Sequence, residues 1–428
     1  MYTIEQTIRL LESGAFDRCL SGMYACGDRA LLPYRRRLLD AIAAFRSEFG
    51  DAQEIALFSA PGRTELGGNH TDHQGGHVLA GSIDLDVIAV AAVNGTGTIR
   101  LKSKGMPMDT VDITDLSPRQ EEINTSASLL RGIAAKFTEL GYPVSGFDAY
   151  TTSDVLCGSG LSSSAAFEVL AGNICNTFFA GGAVDAVQIA QIGQYAENVY
   201  FGKPCGLMDQ MACSVGGVIA IDFADAAPVI THTDVDLEKE GYALCILDSG
   251  ADHADLTDAY AAIPAEMRSV AEALGKAVLS QTDLAAVMEQ LPMLRKTCGD
   301  RAVLRALHFF GDDARVSRET QALKNGDFNA FLAEIRASGH SSFMYLQNIC
   351  TYDDAAKQEV ALTIALCEQL LNGRGAVRVH GGGFAGTVQA FVPLDMLEDF
   401  RRETERVLGD GCCHVLRIRS TGGVHITE

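Results

Sequence analysis

The sequence predicts a mixed α+β protein built from two domains. Helical and strand patterns alternate through both halves of the chain, a glycine- and serine-rich loop sits between a strand pattern and a helix pattern, and a second strand–helix stretch begins near Tyr242.

Taken in order, residues 1–50 predict a helical N-terminal extension. Thr3 and Gln6 have capping-box spacing, Ile4, Ile8 and Leu11 share a face, and Gly14 can stop the helix. Leu38, Ile42, Phe45 and Phe49 then repeat at helical spacing before Gly50. A strand over 55–58 runs into Ala60-Pro61-Gly62-Arg63, and apolar runs at 87–93 and 99–101 read as strands divided by a turn at Gly95. Asn124 opens a helix with Leu130, Ile133, Phe137 and Leu140 on one side and Gly141 at its end. A boundary in 215–240 divides the chain into the extension, a domain over 51–235 and a domain over 236–428. In the last, 243–247 reads as a strand, 254–337 as several helices, and 376–379 and 388–392 as strands flanking Gly381-Gly382-Gly383.

The 428 residues are 47% hydrophobic and 21% charged, enough apolar content for a real core. The formal net charge is −21, from 55 acidic and 34 basic residues, which argues against a nucleic-acid or anionic-membrane binder. An anionic substrate must therefore be drawn in by a local site. The twelve cysteines are scattered without a CxxC pair, so no zinc or iron–sulfur site is indicated and reduced thiols in a cytoplasmic protein are expected. The first residues carry neither the basic start nor the apolar run of a signal peptide, and no run approaches the roughly 20 apolar residues of a membrane span.

The loop Gly158-Ser159-Gly160-Leu161-Ser162-Ser163-Ser164 follows a strand pattern over 147–151 and precedes a helix pattern over 165–171. Glycines let backbone N–H groups converge on an anion, and the following helix adds its positive end. The serines add hydroxyls, one of which can ligate magnesium. The loop is neither a Walker A sequence nor GxGxxG, and a serine-rich helix cap is its plain alternative.

Four segments in order resemble the galactokinases of the GHMP kinase superfamily: Pro61-Gly62-Arg63 continuing to Gly68-Asn69-His70-Thr71-Asp72-His73, the glycine-rich loop, Pro204-Cys205-Gly206-Leu207-Met208-Asp209-Gln210, and His380-Gly381-Gly382-Gly383-Phe384. The resemblance implies an ATP- and sugar-binding N-terminal domain over 51–235, a ferredoxin-like C-terminal GHMP kinase domain over 236–428, and substrates in the cleft between them. It implies phosphoryl transfer from ATP, with Mg2+, to the anomeric hydroxyl of a galactose-like sugar. Asp209 would take the hydroxyl proton, and Arg63 would hold Asp209 ionised and stabilise the moving phosphoryl charge. Asn69, His70, Asp72, Gly206 and Tyr260 would contact the sugar, residues 158–164 the nucleotide, and Ser164 with Glu197 the metal. The expected partners are sugar and ATP alone, with a monomer expected and a homodimer as the alternative.

The family's first motif reads Gly-Arg-x-Asn-Leu-Ile-Gly-Glu-His-x-Asp-Tyr. Here Glu65 stands at its Asn, Gly67 at its Ile, Asn69 at its Glu and His73 at its Tyr, as though Asn and Glu had exchanged places. Because the replaced Glu faces the sugar's exocyclic end, Asn69 is expected to relax selection there, with galacturonate as the rival substrate. The other readings are a catalytically silent sugar and ATP sensor on the same fold and another GHMP branch. The intact Ser164-Ala165-Ala166, Arg63 and Asp209 argue against the first, and His70 and Asp72 against the second.

Overall fold

The structure is a computed structural model describing residues 1–26, 30–51, 54–156, 160–203, 205–225, 227–251, 256–351 and 356–427. Cys157, Gly158, Ser159, Pro204 and residues 252–255 lie outside the described residues. Three helices lead: α1 (Ile4–Ser13), α2 (Asp17–Tyr24) and α3 (Leu32–Phe49). The Thr3–Gln6 capping box is formed, and Gly14 and Gly50, at φ +81° and +80°, end α1 and α3.

The next stretch is β1 (Ala56–Gly67), β2 (His77–Val93), β3 (Thr98–Ser103), β4 (Met108–Asp112), α4 (Ser126–Glu139), β5 (Phe147–Ser153), α5 (Ser163–Phe179), α6 (Ala186–Ala196), α7 (Met208–Val215), β6 (Val218–Asp222) and β7 (Val229–Thr233). Then follow β8 (Tyr242–Asp248), α8 (Thr257–Ala273), α9 (Leu284–Glu289), α10 (Leu291–Thr297), α11 (Asp300–Lys324), α12 (Phe328–Ser341), α13 (Glu359–Leu371), β9 (Ala376–Val379), β10 (Thr387–Pro393), α14 (Leu397–Leu408), β11 (Cys413–Leu416) and β12 (Val424–Ile426).

The first sheet runs β12-β1-β2-β5-β3-β4, with β6 on β2 and β7 on β6. Only β3 and β5 pair in parallel among the described strands. β1 is buried along its whole length because both faces of the sheet are covered. Strand alternation sends Leu57, Ile88 and Val90 into one layer with Leu38, Ile42 and Phe45 of α3. It sends Phe58, Ala89 and Ala91 into the other with Ile133 of α4 and Val169 of α5. The N-terminal extension is thus one of the two covering layers.

A buried polar cluster ties that layer down. Tyr24 Oη donates to Asp86 Oδ2 at 2.8 Å, Arg37 also bonds the Asp86 carboxylate, and the fully buried Arg419 stands 3.3 Å away. Burial would raise the Asp86 carboxyl, but Arg37 and Arg419 outweigh it and hold it below the usual range.

The second sheet is antiparallel, in the order β11-β8-β10-β9, with α13 and α14 packed on it through Val360, Cys367, Leu371 and Phe400. This is a β-α-β-β-α-β ferredoxin-like arrangement, interrupted after β8 by α8–α12. The chain does not stop there: β12 returns to the first sheet, pairing Ile426 with Leu57, so residues 236–428 contribute to both sheets.

Candidate active site

Register on β2 shifts between Pro61 and Arg63 and again between Glu65 and Gly67, so two irregularities bracket residues 63–65 of β1. Such bulges bend a strand and re-aim its side chains. Gly62 permits a close approach here, since a Cβ would meet the Leu161 carbonyl oxygen at 2.7 Å. Arg63 N–H donates to that oxygen at 3.1 Å, so the loop ahead of α5 lies against β1.

Arg63 is 5% exposed and its guanidinium donates to the Gly160 carbonyl and to Asp209, with Nε 2.9 Å and Nη2 2.8 Å from Oδ1. Ser162 Oγ donates to the other Asp209 oxygen at 2.6 Å. Asp209 lies in the first turn of α7, where a carboxylate is favoured. Its side chain keeps 36% of its surface open. Partial burial would raise the carboxyl, but Arg63 and then Ser162 hold it below the ordinary range. The group is an ionised acceptor, partly open, beside the N-terminal end of a 17-residue helix. Ser163 and Ser164 occupy the first turn of α5, and Ser162, at φ 59°, is its N-cap.

Residues expected around the sugar gather on two lines. A Cβ on Gly206 would collide with the Asp72 carboxylate, which places Asp72 against the segment leading to Asp209. His70, at φ 60°, makes a 2.9 Å hydrogen bond from Nε2 to the Gly382 carbonyl, and Tyr260 Oη donates to the Gly383 carbonyl at 2.8 Å. A Cβ on Gly382 would meet the Tyr260 ring at 2.6 Å, so glycine is required where these two lines meet. Burial, and then the neighbouring His73, lower the His70 pKa to about 4, which keeps this imidazole neutral near pH 7.

Asn69 departs from expectation. It is 0% exposed, and its amide is spent on the protein: Nδ2 donates to Glu65 Oε1 at 2.9 Å and to the Gly381 carbonyl at 2.7 Å, while Oδ1 accepts from Asn348 at 2.8 Å. The expectation that Asn69 offers its side chain to the sugar's exocyclic end is corrected accordingly, because it has no amide hydrogen left to give. The exchanged pair does meet, through the Glu65–Asn69 hydrogen bond. The fully buried Arg378 of β9 donates to the same Glu65 oxygen at 2.5 Å. Gln389 and His380 bond Thr64 at 2.8 and 3.1 Å, so the exchanged motif fastens the first sheet to the second.

Glu197 is buried in the turn after α6, where Oε2 accepts from Gln210 Nε2 at 2.8 Å and Lys203 stands 3.6 Å from Oε1. The same Gln210 nitrogen donates to Glu168 at 3.0 Å. Sequence reasoning passed over Glu168, although a carboxylate inside the apolar run Ala165-Ala166-Phe167-Glu168-Val169-Leu170 is a signal in itself. Glu168 Oε1 and Gln210 Oε1 are buried without hydrogen-bond partners. Burial and then the Glu197 charge push the Glu168 carboxyl well above its ordinary range. Ser164 lies one helical turn before Glu168 on α5. Two carboxylates sharing one donor, with oxygen atoms left over, form a donor set suited to a hard divalent cation.

Residues 128–217 match the model of the GHMP kinases N terminal domain, and residues 43–93 match the galactokinase galactose-binding signature. The chain is 31% identical to galactokinase of Streptomyces coelicolor over 81% of this chain and 87% of that one. It is 30% identical to human galactokinase over 82% of this chain and 86% of that one. The crystal structure of Lactococcus lactis galactokinase complexed with galactose shares the fold at TM-score 0.77 and 24% identity, covering 90% of this chain and 99% of that one. Mevalonate kinase structures share it more distantly, at TM-scores near 0.6 and 14% identity. A glycine-rich loop held against a strand arginine and an acid, between an α/β sheet and a ferredoxin-like one, defines a GHMP kinase. Within that class the chain belongs to the galactokinase family of ATP-dependent sugar kinases.

Proposed function

We propose that this chain transfers the γ-phosphoryl group of ATP to the anomeric hydroxyl of galactose, giving the sugar 1-phosphate. The observation that carries the reading is the Asp209 carboxylate, held ionised between Arg63 and Ser162 and partly open beside the glycine-rich loop. Asp209 accepts the hydroxyl proton as the oxygen–phosphorus bond forms. Arg63 keeps that acceptor anionic and adds positive charge beside the transferring group. Asp72, His70 and Tyr260 orient the sugar, and neutral His70, whose Nε2–H is given to the Gly382 carbonyl, keeps Nδ1 as a hydrogen-bond acceptor. The α5 N-terminus and residues 160–164 receive the triphosphate.

Ser164 and Glu197, with Glu168 behind them, would hold Mg2+, which when bound neutralises phosphate charge. The cysteines described are all free, which supports a reducing compartment, taken here as the cytoplasm. No helix among the described residues is long and apolar enough to cross a membrane. The enzyme is proposed to work as a monomer.

An ATP-consumption screen over galactose, galacturonate and arabinose tests the reading. Galactose should be turned over with the highest kcat/KM, and a chain that consumes ATP with none of the three is not a sugar 1-kinase of this kind.

A further inference from the structure

We infer that the face carrying the N-terminal extension holds a second, non-catalytic site for a small phosphorylated polyol such as a sugar phosphate. A cavity of about 360 Å3 opens between α3 and the β5–β3 part of the first sheet, lined among others by Arg36, Arg37 and Asp40 of α3, Lys104 just past β3, and Tyr150 and Thr152 of β5. That volume falls within the ordinary range for small-molecule sites.

The chemistry of the lining divides in two. Arg36 and Lys104 are exposed and make no ion pair among the described residues. They are two uncommitted cations in a chain of net charge −21, and together they fit a phosphate monoester. Asp40, Tyr150 and Thr152 offer a carboxylate, a half-buried aromatic ring and a hydroxyl, the groups that bind polyol hydroxyls and pack a sugar's apolar face.

Arg37 forms the inner wall. It bonds the carboxylate and carbonyl of Asp86 and the Thr152 carbonyl, lies 3.1 Å from Asp154, and has its Nε–H buried without a hydrogen-bond partner. Asp154 in turn donates its N–H to Asp86 and leads into the segment before Gly160. The site therefore abuts the root of the glycine-rich loop while sharing no residue with the catalytic centre.

The probes are galactose 1-phosphate and inorganic phosphate, titrated calorimetrically into the full-length wild type and into the Arg36→Glu/Lys104→Glu and milder Arg36→Gln/Lys104→Gln variants. Wild type should bind one more equivalent of galactose 1-phosphate than either variant, or bind that equivalent at least tenfold more tightly, with inorganic phosphate weaker at the same locus. Galactose phosphorylation at low ester concentration should stay within twofold of wild type in both variants, so loss of the groove is read separately from loss of catalysis. Identical stoichiometry and affinity in wild type and both folded variants would overturn the site. Inorganic phosphate binding there as tightly as the ester would overturn the assignment to a phosphorylated polyol.

Discussion

Replacing Asn69 by glutamate restores the residue found in the family's usual motif, and it should damage this protein instead of sharpening its sugar selection. The new carboxylate would stand where Asn69 Nδ2 now lies 2.9 Å from Glu65 Oε1 and 2.7 Å from the Gly381 carbonyl, at a site with no solvent exposure. Two like charges about 4 Å apart at an effective dielectric of about 20 repel by about 4 kcal/mol. Leaving the Gly381 carbonyl without its donor adds about 1–3 kcal/mol. Arg378, already bonded to Glu65, offsets part of this. A net loss of about 4 kcal/mol is a large share of the roughly 5–15 kcal/mol that holds a domain together. At about 2 °C per kcal/mol, the unfolding midpoint of Asn69→Glu should drop by roughly 8 °C. The assay is thermal unfolding of wild type, Asn69→Glu, Glu65→Asn and the double exchange. The double variant should recover more than 1 kcal/mol relative to the sum of the singles, since it keeps one carboxylate near Arg378. A single Asn69→Glu variant with wild-type stability and an altered galactose-to-galacturonate ratio would refute this reasoning and return Asn69 to the sugar pocket.

Ser164→Ala and Glu197→Gln should each raise the apparent Kd for Mg-ATP, measured by fluorescence titration, by about tenfold, while galactose affinity stays within a few-fold. Normal Mg-ATP binding with lost sugar binding would show that the two subsites were confused. The neutral His70 predicts acid sensitivity. Its folded pKa is about 4 against an ordinary 6.5, so the unfolded chain takes up a proton that the folded one refuses, and stability falls as pH drops from 6.5 towards 4. At about 1.4 kcal/mol per unit the loss is roughly 3 kcal/mol, and His70→Gln should flatten that part of a denaturant-midpoint versus pH curve.

Local patterning made much of the fold legible. The Thr3–Gln6 cap, the helix before Gly50 and the strand patterns over 147–151 and 243–247, observed as Phe147–Ser153 and Tyr242–Asp248, follow from period and punctuation alone. The return of β12 onto β1 was not legible, because a three-residue strand whose partners lie 365 or more residues away in sequence, as Ser59 does from Val424, leaves no periodic trace. Within the site, Arg63, Ser162 and Asp209 meet although they are distant in sequence, and a recognisable motif order pointed to them. Asn69 was read from its motif position as facing ligand, yet its surroundings come from Gly381 and Asn348 more than 270 residues downstream, which single-sequence reading does not reach. Glu168 was overlooked because its meaning depends on Gln210 and Glu197 from other helices.

The Asp209–Arg63 centre is tested most directly by one substitution. Asp209→Asn keeps the side-chain shape and removes the proton acceptor and its charge. Galactose 1-phosphate formation, followed by phosphorus NMR with ATP and galactose saturating, should fall by about 10²-fold or more in kcat, with galactose binding within a few-fold of wild type. A folded Asp209→Asn enzyme that turns over galactose at the wild-type rate would contradict the assignment of Asp209 as the acceptor.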